Sequence, residues 1–326
     1  MSKMIHWGII GAGNIARRFI KGLSYSQNGK LYAVASHTAT KRAELKALYP
    51  EIVTYDDYEQ LLDDPQVDAV YIAIWHKEHY EWARRAILKH KAVLCEKPAT
   101  LSSIQMQDLA SLAKENQTFF MEAMKTRFIP LVLELKKQLD EGLIGDILRI
   151  ENRFCYDITN ASQTRYLFDQ EQGGILNDVG SYNIASILDY IDSPVQSIES
   201  SVQYMQGVDC HDQITITFTS GQVGYLEIAM DENLSPLMTI YGSKGKITCM
   251  PFYRPTQATI ELNNQKAYHI HKDYIFDDFY TEIEEVHQCL KNHQYESQRM
   301  SLKDSIDCAM LIEKIKQTFK EENHEI

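Results

Sequence analysis

Residues 1 to about 122 alternate short apolar runs with helix-forming segments, and this alternation restricts the fold more than any other feature of the chain. The runs MIHWGII, LYAVAS, AVYIAIW, AVLCE and TFFMEA are separated by stretches that read as helices beginning near Asn14, Thr40, Glu78 and Ser102. A strand whose successor arrives only after a helix cannot close a hairpin with it. It pairs in parallel instead, and the helices cover both faces of the sheet. Ser102 can cap a helix running through Leu112, and Tyr80, Ala83, Ile87 and Leu88 share a helical face within 79–90.

After a helix around Pro130 to Glu141 the pattern changes. Strand-like segments follow one another: ILRIENRFCY, VQSIESSVQYM, QITITFT, QVGYLEIAM, LMTIYG, KITCM, ATIEL and KAYHIH. Ser220-Gly221, Gly242 with Gly245, and Asn263-Asn264 mark turns between them, and tight turns favour antiparallel pairing. Helices from about Asp278 to Lys291 and from Leu302 to Phe319 close the chain. The expected architecture is an α/β Rossmann domain over 1–122, then an α+β domain over 123–326 with a large, mostly antiparallel sheet. A length of 326 residues suits two ordinary domains.

The first strand runs into G-A-G-N-I-A at 11–16, the G-x-G-x-x-A form of the dinucleotide fingerprint. Gly11 permits the tight turn, Gly13 lets backbone approach a pyrophosphate, and Ala16 allows helix and strand to pack closely. Asn14 and Ile15 open the helix whose N-terminus faces the phosphate. An acid about 20 residues past the glycines would favour NAD. Here AVASHTATKR puts Ser36 and His37 at that spot, no acid appears before Glu44, and Lys41 and Arg42 follow. NADP is therefore expected over NAD.

A net charge of -12 argues against nucleic acid or an anionic membrane as partner and leaves a small-molecule substrate. The six cysteines form no C-x-x-C pair and read as free thiols of a reducing cytoplasm. The opening MSKMIHWGII reads as a first strand because GAGNIARRF follows at once. AVYIAIW falls far short of the ~20 residues a membrane helix needs.

A second motif, GGILNDVGSYNI at 173–184, places Asp178 and Tyr182 four positions apart with Gly180 between them. Glycine inside a helix costs roughly 1 kcal/mol relative to alanine, so something must approach that turn closely. At 100° per residue, Leu176, Gly180, Ile184, Ile187 and Ile191 share one stripe, and Asp178, Tyr182, Ala185 and Asp189 lie opposite. The glycine is thus expected against its own domain's sheet, with the polar stripe toward a cleft.

The third landmark is LCEKPAT at 94–100, at the end of a strand where parallel sheets bind ligands. With GAGNIA and GGILNDVGSY it resembles the Gfo/Idh/MocA oxidoreductases over nearly the whole chain. MEAMKTRFIP, GLIGDILRIENRF and YGSKGKITCMPFYRP look most like the dihydrodiol dehydrogenase branch. The resemblance implies NAD(P)-dependent hydride transfer at a hydroxyl or carbonyl of a sugar, polyol or cyclic diol. It also implies an open-faced C-terminal sheet that often joins protomers into a homodimer or higher oligomer. Its catalytic positions are Lys97 from E-K-P, Asp178 and Tyr182, with the proton carried by Tyr182 or by Lys97. Ala73, Trp75, His79, Glu96 and Lys97 would face the cofactor. From their positions in the sequence, Arg127 and Arg165 either line the substrate side or form surface salt bridges. The family's T-P-N-x-x-H reads IWHKEH here, so Trp75 and His76 replace Pro and Asn beside the nicotinamide. His76 and His79 form an H-x-x-H without a third ligand at matching spacing, and no metal is expected. The rival expectation is a silent dinucleotide sensor on the same fold, because function lives in the site.

Overall fold

The computed structural model describes residues 3–158 and 166–322. They divide into two compact units, Met1–Met124 with Ile275–Ile306, and Lys125–Tyr274 with Asp307–Ile326.

The first unit is a parallel sheet of six strands. They are β1 (Ile5–Ile10), β2 (Gly29–Ala35), β3 (Val53–Tyr55), β4 (Ala69–Ile72), β5 (Ala92–Glu96) and β6 (Phe120–Ala123), in spatial order β3-β2-β1-β4-β5-β6. Helices α1 (Asn14–Leu23), α2 (Ala39–Leu48), α3 (Tyr58–Asp63), α4 (His76–Leu88) and α5 (Ser103–Glu115) connect them. β1 and β4 are neighbours, so chain direction across the sheet reverses there, which is the topological switch point where such sheets bind ligands. Ser102 caps α5 as expected, its hydroxyl accepting from the Gln105 amide at 3.2 Å.

The pair β3 and α3 has no counterpart in the sequence reading. At three residues β3 is too short to display a period, and α3 is announced chiefly by Asp57, whose carboxylate accepts from the Glu59 amide. The chain also returns to the first unit after residue 274, whereas a boundary at 122/123 assigned that segment to the second domain. Helix α8 (Tyr280–Lys291) brings it back, burying Ile283 and Val286 just past Phe279. Trp7 donates its indole N–H to His287 Nε2 at 2.8 Å, and a Cβ on Gly29 would lie 2.4 Å from that same nitrogen. A bare glycine edge therefore lets a helix from late in the chain dock on β2.

The second unit opens with α6 (Pro130–Asp140), which has proline in its first turn. Its eight strands are β7 (Ile147–Cys155), β8 (Val195–Met205), β9 (Val208–Phe218), β10 (Val223–Ala229), β11 (Leu234–Gly242), β12 (Gly245–Cys249), β13 (Gln257–Leu262) and β14 (Tyr268–His271). Their order is β14-β13-β12-β11-β7-β10-β9-β8, antiparallel except for β7 with β10. Helix α7 (Ser181–Tyr190) packs on one face, and α9 (Leu302–Glu322) ends the described chain. Asn152 of β7 and Asn183 of α7 donate to each other at 3.0 and 2.9 Å, a reciprocal pair that fixes α7 along the sheet. Both side chains are buried, so each amide N–H placed this way avoids an orphan donor costing about 1–3 kcal/mol.

Candidate active site

The β1–α1 turn has the geometry of an anion cradle. Gly11 sits at φ +105°, and a Cβ there would lie 2.2 Å from the Ala73 carbonyl oxygen, so only glycine lets the turn close over the end of β4. At Gly13 a Cβ would meet nothing within 4 Å, which leaves room above the backbone for a ligand. Gly13 is also the N-cap of α1, without a side-chain cap and with no acid in the first turn. The leading N–H groups of α1 are thus uncapped by side chains and suited to a pyrophosphate. Ala16 is fully buried under the turn.

At the carboxyl end of β2, Ser36 is buried and its hydroxyl accepts from the Thr38 amide at 3.3 Å. The Arg42 guanidinium folds back to donate to the Ser36 carbonyl, so a cation stands over the strand end. His37 lies 2.7 Å from the Asp56 carbonyl oxygen through Nδ1, with its ring against Tyr58. Lys41 is exposed. Arg17 of α1 is paired with Glu44 at 2.6 Å.

The E-K-P segment is gripped on three sides. Glu96 is buried, accepts from the Tyr71 hydroxyl, and accepts from the Lys97 amide at 3.3 Å. Glu122 accepts from the Ala99 amide at 2.8 Å. His79 Nδ1 lies 2.9 Å from the Pro98 carbonyl oxygen, while its Nε2 lies 3.2 Å from that of Ile74. Burial pushes the His79 pKa down to about 4, against the pull of the two carbonyls and aided by the Lys97 charge, so the ring is neutral at pH 7. A neutral imidazole has one N–H, and the shorter contact places it on Nδ1 toward Pro98. His79 and Glu96, expected to face the cofactor, are thus buried supports that hold the Lys97 backbone in place. Trp75, by contrast, is half exposed at the N-cap of α4, beyond the end of β4.

In the second unit, Asp178 and Tyr182 lie on consecutive turns but not on one regular helix. Residues Leu176–Gly180 form a π-helical turn that runs directly into α7. A π turn takes in an extra residue, so the expected 100° phase breaks there. The apolar stripe is nonetheless packed, with Leu176, Ile184 and Ile187 at 0% exposure and Ile191 at 1%. A Cβ on Gly180 would sit 2.9 Å from Ile228 Cδ1 of β10, so that glycine does bring the turn against its own sheet.

The Asp178 carboxylate accepts from two phenols, Tyr156 at 2.6 Å and Tyr166 at 3.0 Å. Tyr182 is 8% exposed, and its ring borders those of Phe154 and Tyr253. Phe154 and Tyr253 stack at 4.6 Å, and the Lys125 ammonium stands 6.0 Å from the Tyr253 centroid. Sequence reasoning missed Tyr156, Tyr166, Phe154 and Tyr253. The one available signal was Tyr156 at the end of a strand beside Asp157.

Arg127, expected at the substrate or in a surface salt bridge, is 3% exposed and donates to the Ala185 carbonyl on α7 at 3.2 Å, with Asp189 4.0 Å away. It anchors the helix that carries Tyr182. Arg165 lies outside the described residues.

A family model described as "Oxidoreductase family, NAD-binding Rossmann fold" matches residues 5–124, and one described as "GFO/IDH/MocA C-terminal domain" matches 132–248. Among curated relatives, trans-1,2-dihydrobenzene-1,2-diol dehydrogenase of Mus musculus is 27% identical, with 95% of each chain covered. D-xylose 1-dehydrogenase (NADP(+)) of Hypocrea jecorina is 28% identical, covering 93% of this chain and 88% of its own. The solved structure of KijD10, a 3-ketoreductase from Actinomadura kijaniata in complex with NADP and TDP-benzene, shares the fold with a TM-score of 0.89 at 23% identity. The match covers 97% of this chain and 98% of that one. A glycine cradle at the switch point, a braced E-K-P lysine and an Asp/Tyr pair on the second unit's sheet are thus found in a chain that belongs to the GFO/IDH/MocA family of NAD(P)-dependent oxidoreductases.

Proposed function

We propose that the protein is an NADP-preferring dehydrogenase or reductase acting on a secondary hydroxyl or ketone of a sugar, polyol or cyclic diol, with Tyr182 as acid/base. The carrying observation is that two O–H donors already occupy Asp178, which makes it a fixed anionic acceptor and directs proton transfer to Tyr182. The β1–α1 turn would hold the dinucleotide, whose nicotinamide would supply hydride transfer to or from the carbinol carbon. Tyr182 takes the hydroxyl proton as the C–O single bond becomes a carbonyl, and gives it back in the reverse direction. Lys97 of E-K-P is the alternative proton carrier that the family resemblance offers. Asp178 orients the donors around it.

Support for NADP comes from the Arg42 cation at the end of β2, from the lack of an acid in the sequence from Ser36 to Arg42, and from relatives named for NADP(+). Arg42→Ala is expected to weaken NADP binding about 10- to 100-fold and NAD binding less than 3-fold. The figure is the contribution of a hydrogen bond to a charged phosphate, read by fluorescence titration of each cofactor. The silent-sensor reading is set aside because the relatives carry the names of dehydrogenases.

Two further readings belong to the proposal. Assembly into a dimer or larger through the large sheet is what the family resemblance carries. The six cysteines are all free and buried, in keeping with the cytoplasm. No helix among the described residues is long and apolar enough to cross a membrane.

A screen of aldoses, polyols, vicinal diols and dicarbonyls with NADP(H) and NAD(H), followed at the nicotinamide absorbance, tests the reading. Turnover with a member of these classes supports it. Tight NADP binding without turnover of any of them would overturn it.

A further inference from the structure

We propose that Lys316 of α9, with Asp209 of β9, forms a clamp that sets the π-helical turn carrying Asp178, making these two positioning residues for the acid/base helix. The proposal rests on the roles given above to Asp178 and Tyr182. It concerns residues that lie 30 to 140 positions away and that the reaction itself does not use.

The contacts account for the motif position by position. Gly173 is bare because a Cβ would lie 2.3 Å from the Leu167 carbonyl oxygen. Gly174, at φ +89°, is bare because the Asp209 carboxylate fills the space, 2.0 Å from where its Cβ would stand. That carboxylate reaches over the glycine to accept from the Leu176 amide at 2.8 Å, binding the first N–H of the π turn. One residue on, Asn177 is buried and donates to the carbonyls of Gln172 and Gly173 at 3.2 and 2.9 Å. Its own carbonyl oxygen accepts from the Lys316 ammonium at 2.7 Å. The entry to the turn is therefore held from β9 on one side and from α9 on the other, immediately before Asp178.

Asp212 of β9 is 0% exposed beside Asp209. Burial, and then the neighbouring Asp209 charge, push the Asp212 carboxyl well above the usual carboxylate range; burial raises the Asp209 carboxyl as well, and Lys316 opposes both shifts. π turns are rare, and the Asp209 and Lys316 contacts hold this one where the helix departs from regular geometry.

The test uses the full chain. Lys316→Met removes the ammonium while keeping the stem, Lys316→Arg keeps the charge and the donor, and Lys314→Met, at an exposed position on the same helix, is the control. Hydrogen exchange of amides 174–182 is measured without substrate, and kcat with the best substrate of the screen. The expected result for Lys316→Met is at least 10-fold less protection confined to 174–182, with kcat at least 5-fold lower. NADP affinity should stay within 2-fold, and Lys316→Arg should recover most of both losses. Unchanged protection overturns the clamp, and so does faster exchange spread evenly over the whole second unit, since that marks plain destabilisation. Lost protection with unchanged kcat overturns the positioning role. Failure of the acid/base reading shows elsewhere, as full turnover in Tyr182→Phe. Where Lys316→Met does not fold, Lys316→Gln removes the charge while keeping a polar end and carries the same expectation.

Discussion

Tyr182→Phe should lower kcat by roughly 10²- to 10⁴-fold, the usual contribution of a positioned acid/base, while leaving NADP affinity within about 2-fold. The substitution removes one oxygen and keeps the ring that borders Phe154 and Tyr253, so the pocket retains its packing. On the proposed reading the cofactor is held by the β1–α1 turn and the end of β2, which belong to the first unit and are untouched. A loss in kcat without a loss in affinity is therefore the signature of a missing proton carrier. Stopped-flow hydride transfer with fluorescence titration separates the two. Full turnover in the variant would remove Tyr182 from the chemistry and leave Lys97 as the carrier.

Gly174→Ala should destabilise the second unit by about 2–4 kcal/mol. The sum has two parts. An alanine at positive φ costs about 1 kcal/mol. The new methyl must then displace the Asp209 carboxylate, 2.0 Å away, and break its bond to the Leu176 amide, leaving a buried group unpaired at about 1–3 kcal/mol. Gly221 provides the control, since it has φ +84° and nothing within 4 Å of its Cβ position. Gly221→Ala should pay the conformational part alone. The difference in thermal midpoint between the two variants isolates the carboxylate contact, and equal midpoints would show that Asp209 gives way freely. A unit of this size shifts by about 2–4 °C per kcal/mol, which puts the Gly174→Ala midpoint roughly 5 to 15 °C below the parent.

The residues explain why some of this was legible in the sequence and some was not. The cradle at Gly11 and Gly13 could be read because all its parts lie within six consecutive positions. The packing of Gly180 could be read because helical periodicity is local. The brace on Asp178 could not, since Tyr156 and Tyr166 reach it from 22 and 12 residues away with no period relating them. Lys316, 139 residues from Asn177, is further still. His79 was visible as a motif residue, but its role turns on burial, which a motif does not carry. Arg127 is a similar case: its place in the sequence leaves substrate contact and a salt bridge both open, and only the fold reveals its bond to a backbone carbonyl of α7.

The return of residues 275–306 to the first unit bears on how the protein is made. Synthesis proceeds from the N-terminus, and domains generally fold as they emerge. Here the first unit waits for α8, because until then Trp7 has no acceptor for its indole N–H and one flank of its core has no cover. The second unit waits later still, for the part of α9 that carries Lys316. Neither unit has all its parts until these later segments have been made. A clone cut after residue 124 would yield a fragment with an unfinished core and would not report on the dinucleotide site.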